Sequence, residues 1–114
     1  MGLMSRQKGK RGERLLAAEL RAALPEHAAG IRRGWQSREG DDDPDIVGVP
    51  GVWFENKVGV QPNPRAALAQ ATEASRGRGV PIAVVRDDRR PPFVVLHLVD
   101  FLPMLRAWLH EERP

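Results

Sequence analysis

The chain is expected to fold as a single α/β domain, a mixed five-stranded sheet flanked by helices in the order αβββαββα. Three observations predict this. An amphipathic stripe at helical spacing runs from about Lys8 to Leu24 and stops at Pro25. Two strand-like segments, DIVGV and VWFENKVGV, follow one another across a Pro50-Gly51 turn. A helix start at Asn63-Pro64 then leads to VPIAVVR, an almost continuous apolar run of the kind found in strands buried on both faces. At 114 residues there is material for one core and no second domain.

The first helix should run from about Lys8 to Leu24, with Leu16, Leu20, Ala23 and Leu24 on one stripe, after a basic arm at about residues 1–10. Glu13 falls within that stripe, three, seven and eleven positions before Leu16, Leu20 and Leu24. A carboxylate on a packing face is costly unless it meets a cation or a proton donor, or lies at the helix start where the macrodipole favours it. Arg11, Arg14 and Arg21 take the opposite face.

A first strand is expected over residues 30–37, then a loop, EGDDDP. The second strand is expected over 45–49 and the third over 52–60, where Val52, Phe54 and Val58 alternate with Trp53, Glu55 and Lys57. Asn56 stands on the apolar side of that alternation and should find hydrogen bonds there. The second helix runs from Asn63 to about Arg76 before the glycines at 77 and 79, with Ala67, Ala71 and Ala74 facing the sheet and Gln70 toward its flank. Strands at 80–86 and 93–98 bracket an Arg-Arg-Pro-Pro turn. A last helix from about Val99 or Asp100 holds Pro103 in its first turn and carries Phe101, Leu102, Leu105, Trp108 and Leu109. These are more apolar residues than one face needs. A core position is expected for them, with a subunit interface as the alternative, and Trp35 and Trp53 are expected to pack rather than stack on bases.

No apolar run approaches the about 18 residues of a membrane span, and the basic N-terminus lacks the apolar stretch of a signal peptide. A soluble intracellular protein without a membrane partner is the expectation. Cysteine is absent, which removes disulfides, thiolate metal sites and cysteine nucleophiles. The net charge is only +3, but it is unevenly spread. Arg6, Lys8, Lys10, Arg11 and Arg14 crowd the N-terminus, and Arg32, Arg33, Arg76, Arg78, Arg86, Arg89 and Arg90 add basic points. Asp41, Asp42, Asp43 and Asp45 form the acidic centre. A basic rim around an acidic centre suits a nuclease that draws in phosphates while its carboxylates hold cations. An ordinary charged surface has the same composition.

The chemistry concentrates in PDIVGVPGVWFENK. Residues two apart on a strand lie about 7 Å from each other on one face, so Glu55 and Lys57 point the same way, and Asp45 can reach that face from the neighbouring strand. Two carboxylates and an ammonium fit a divalent-metal site acting on a phosphodiester. The alternative is a solvated hairpin with a surface ion pair. Lysine is scarce here: 15 arginines stand against three lysines, and Lys57 is the only one beyond the N-terminus. A compact ammonium suits charge stabilisation at one point, whereas the guanidinium fork prefers bidentate pairing.

With KGKRGERLLAAELRAAL, RRGWQS, GDDDPDIVGVPGVWFENK, RAALAQATEAS and VPIAVVRDDRRPPFVVLHLVDFL, nearly the whole chain resembles the PD-(D/E)XK, or restriction endonuclease-like, nuclease superfamily. Within it, the small phage Holliday junction resolvases are the most similar group. The resemblance implies catalytic roles for Glu13, Asp45, Glu55, Lys57 and Gln70, with Gln70 open to being plain helix surface. It implies a metal held by Asp45, Glu55, Glu13 and the Asn56 backbone carbonyl, and Mg²⁺ as the cofactor, with Mn²⁺ able to substitute. It further implies DNA contacts from Arg6, Lys8, Lys10, Arg11, Arg32, Arg33, Arg76 and Arg78. The substrate would be branched DNA rather than a small molecule, the assembly a homodimer, and the location the cytoplasm, the host's if the chain is phage-encoded. Asn56 departs from the family, which more often has an apolar residue there. Another small nuclease of the superfamily acting on duplex, flap or single-stranded DNA, and a non-catalytic nucleic-acid-binding module, remain as alternatives.

Overall fold

The computed structural model describes the backbone of residues 2–35 and 43–112 and the side chains of residues 7–35 and 43–111. The elements are α1 (Gly2–Ala23), a 3₁₀ turn (Ala28–Gly30), β1 (Arg32–Arg33), β2 (Ile46–Val47), β3 (Val52–Gly59), α2 (Pro64–Ser75), β4 (Val80–Asp87), β5 (Phe93–Val95) and α3 (Leu98–Glu112). They form an α/β fold with one five-stranded mixed sheet in the spatial order β1-β2-β3-β4-β5. Only β3 and β4 are parallel, joined by the crossover through α2; the other neighbours are antiparallel.

Alternation along β3 divides its side chains between two layers. Phe54 joins Leu16, Ala17, Ile46, Ile82 and Val84 in the core beneath α1, with Val52 packed against it. On the opposite face, Ala83 and Val85 of β4 meet Ala67 of α2. Ala67 and Ala71 are buried, as their spacing predicts, because a side chain of one methyl lets a helix lie close to a sheet. Asn63 caps α2 by accepting the Ala66 N–H at 3.1 Å, and Pro64 occupies the first helical position. The exit from α2 is made by Arg76 itself in the left-handed region, φ 50°, ahead of Gly77. Pro50-Gly51 makes the expected tight turn, closed by Val52 N–H donating to the Val49 carbonyl at 3.3 Å.

Several boundaries differ from expectation. The segment expected as a basic arm belongs to α1, which begins at Gly2. The first, second and fifth strands are shorter than their sequence signals. Gly48 ends β2 at φ 100°, where a methyl group would overlap the Gly30 carbonyl oxygen. Residues 36 and 37 of the expected first strand, and Asp41 and Asp42, lie outside the described residues. α3 starts at Leu98, so Pro103 falls in its second turn rather than its first and leaves one intrahelical bond unmade.

The close approach of α1 to the sheet is made at Gly12. A methyl group there would stand 2.6 Å from Val58 Cγ2 and 2.7 Å from Asn56 Nδ2. Asn56 thus lies under the helix, and the expectation that it finds partners is corrected: its side-chain nitrogen and oxygen are buried without a hydrogen bond. Trp53 packs as expected, buried beneath the Arg78 guanidinium 4.5 Å from its ring centroid, whereas Trp35 is 71% exposed. The apolar residues of α3 expected in the core are largely exposed. No helix among the described residues is long and apolar enough to cross a membrane.

Candidate active site

Asp45 sits just ahead of β2, stitched between its neighbours. Its N–H donates to the Phe54 carbonyl at 2.9 Å, its carbonyl accepts the Gly34 N–H at 2.9 Å, and its carboxylate Oδ2 accepts the Asn56 N–H at 2.8 Å. The last bond fixes the carboxylate on β3 at the level of Glu55. It also orients the Asn56 carbonyl. The Gly51 and Gly59 carbonyls accept from Val80 and Asp88, so odd-numbered positions of β3 bond toward β4, while Phe54 and Asn56 bond toward Asp45. A strand residue's N–H and C=O leave the same side of the chain, so the Asn56 carbonyl points to the edge that Asp45 occupies.

Asp45, Glu55 and Lys57 line one open cleft of about 480 Å³ between β3 and α2, together with Gln70, Glu73 and Arg76. Gln70 therefore lines the same cleft as the carboxylates, from the α2 side. Glu73 was missed from the sequence, although it follows Gln70 by three positions and so shares its helical face.

Protons are held tightly in this cleft. Burial, then the neighbouring Glu55 charge, pushes Asp45 up to about 7, against the opposing bond from the Asn56 N–H. The two carboxyls lie within hydrogen-bonding reach of each other and titrate as a pair. Glu55 is raised as well, chiefly by burial, while its bonds to Asp45 and to the Trp53 indole, 3.4 Å away, oppose the rise. Burial and the charge of Asp45 raise Glu13, against Arg33, whose Nε donates to Glu13 Oε1 at 3.0 Å. Glu13 is thus the stripe carboxylate that meets a cation.

Among the described residues no three carboxylate or imidazole groups form a ready-made cation cage. The close pair is Asp45 and Glu55, with Glu13 in electrostatic reach of both but engaged by Arg33. That donor set fits Mg²⁺, which commonly takes one or two carboxylates and keeps several waters. A divalent cation relieves the same repulsion that a shared proton relieves.

The expected DNA contacts scatter more widely. Arg33 is committed to Glu13, Lys8 to Asp88 at 3.0 Å, and Arg78 to the Ser75 and Ala74 carbonyls and the Trp53 ring. Arg32, Lys10 and Arg11 are exposed, and Arg76 lines the cleft. The Arg6 side chain lies outside the described residues. Compared with known proteins, the chain matches no family model, and no curated protein is significantly similar to it in sequence.

Proposed function

We propose that this protein is a metal-dependent endodeoxyribonuclease of the restriction endonuclease-like type that nicks four-way DNA junctions, in recombination or repair. One observation carries the hydrolytic part: two mutually repelling, proton-retaining carboxylates, Asp45 and Glu55, share an open cleft with Lys57. A purely structural ion pair would lower the proton affinity of its acids, and here it is raised. A non-catalytic DNA-binding surface gains nothing from acids placed where phosphates arrive.

Asp45, Glu55 and the Asn56 carbonyl would hold Mg²⁺ or Mn²⁺. When bound, the ion would supply charge neutralisation at the scissile phosphate and acidify water. The Asn56 N–H fixes the Asp45 carboxylate in place. Lys57, two positions after Glu55 and lining the same cleft, would orient the attacking water or stabilise charge developing on the phosphoryl oxygens. Glu13, positioned by Arg33, adds negative potential behind the pair and so strengthens cation binding. Gln70 and Arg76, across the cleft on the α2 side, offer a hydrogen-bond donor and a positive charge to the phosphate backbone.

The four-way junction as substrate rests on the whole-chain resemblance. Two nicks placed symmetrically about a branch call for two active sites, hence a two-fold homodimer. The deciding assay compares cleavage of a four-way junction, a matched linear duplex and a flap in Mg²⁺ for wild type and Asp45→Ala. Junction-selective nicking that the variant loses is expected. Equal cleavage of all three substrates overturns junction selectivity, and no cleavage with any divalent metal overturns the nuclease assignment.

A further inference from the structure

We propose that α3 is a self-association element through which two copies of this chain pair, helix against antiparallel helix. Leu98, Leu102, Leu105 and Leu109 recur at spacings of four, three and four, the seam that brings two helices together in a coiled coil. In an isolated subunit the seam is largely uncovered: Leu98 is 68% exposed, Leu102 51% and Leu109 49%, and Leu105 is half-buried. The helix turns Met104 toward the main core and keeps Asp100 partly covered. The leucine seam therefore lies on a different side from the one already used.

The sequence of α3 favours a second copy as the occupant. The 4-3-4 spacing reads the same in both directions, so a two-fold axis midway between Leu102 and Leu105 sets Leu98 against Leu109 and Leu102 against Leu105 of the other copy. Such an isologous contact is self-complementary by construction. The flanks carry Val99, Phe101 and Trp108, with Arg106 as the one charge, so little like-charge repulsion opposes pairing. The exposed apolar side chains of α3 present on the order of 600 Å², at the upper end of what a monomer carries and close to the about 800 Å² per partner of a standard interface. Phe93 and Val94, exposed on the edge strand β5, extend the apolar surface just before α3 begins.

This gives a surface to the assembly proposed for junction cleavage but draws on none of the cleft chemistry, so the two stand or fall by separate measurements. Sedimentation of the wild-type protein at micromolar concentration should give twice the 12.7 kDa chain mass. Leu102→Glu with Leu109→Glu should give the single chain with an unchanged circular dichroism spectrum, since neither leucine is buried. A wild-type monomer, or a double variant that stays dimeric, overturns the proposal. The register has its own test, because the chain has no cysteine. Leu98→Cys and Leu109→Cys proteins should each resist disulfide crosslinking alone, their thiols being about 16 Å apart along an antiparallel pair. Mixed together under oxidation they should crosslink. Crosslinking of either variant with itself overturns the antiparallel register.

Discussion

Replacing Asp45 by Asn should stabilise the protein at pH 8 while abolishing cleavage. The folded protein holds the Asp45 proton up to about 7, whereas the unfolded chain releases it near 3.8. Between those values the native state binds more protons than the unfolded state, so the contribution of Asp45 to stability is full below pH 4 and falls as pH rises. Over that interval, at about 1.4 kcal/mol per pH unit, the cost of ionising Asp45 reaches about 4 kcal/mol, an upper figure because Glu55 shares the proton. The Asn side chain keeps an oxygen to accept the Asn56 N–H and carries no charge. The assay is urea denaturation from pH 5 to 9 in EDTA, repeated in Mg²⁺. Wild type should lose stability across pH 5–8 in EDTA, recover part of it in Mg²⁺, and fall below the Asn variant at pH 8. A wild-type midpoint that rises from pH 5 to 8, or an Asn variant less stable at pH 8, would refute the reasoning.

Asn56→Leu, nearly the same shape, should raise stability by about 1–3 kcal/mol by removing a buried amide without partners; a lower denaturation midpoint would show that the amide is satisfied in solution. Lys57→Arg should lose at least about a hundredfold in cleavage rate, because the guanidinium cannot place a point charge where the ammonium sits, while Mg²⁺ titration of the Asp45-Glu55 pair persists. A rate within a few-fold of wild type would remove Lys57 from the chemistry.

Local signals announced much of the fold and the heart of the site. Asn63-Pro64, the alanine face of α2 and the Pro50-Gly51 turn act through neighbouring backbone, so they can be read one residue at a time. The alternation along β3 likewise put Glu55 and Lys57 on one side. What escaped depends on distant partners. Nothing near Arg33 in the chain says that its guanidinium will turn to Glu13, 20 residues away. β1 extends only as far as β2 does, whereas β2 stops at Gly48 and β5 gives way to α3 although β3 and β4 run on beside them. For α3, periodicity gave the apolar stripe but could not say whether the rest of the subunit covers it. Asn56 was identified as needing partners, but sequence could not reveal that the helix overhead offers it none.

Gly12 has a consequence for the neighbouring carboxylates. Because position 12 carries no side chain, α1 settles onto β3 and carries Glu13 down with it into the field of Asp45 and Glu55. Any larger residue would act as a spacer, lifting the helix and weakening that field with distance. The proton affinity of a pair on the far side of the sheet, and with it the appetite for a cation, is thus tuned mechanically from the opposite layer by the thickness of one residue.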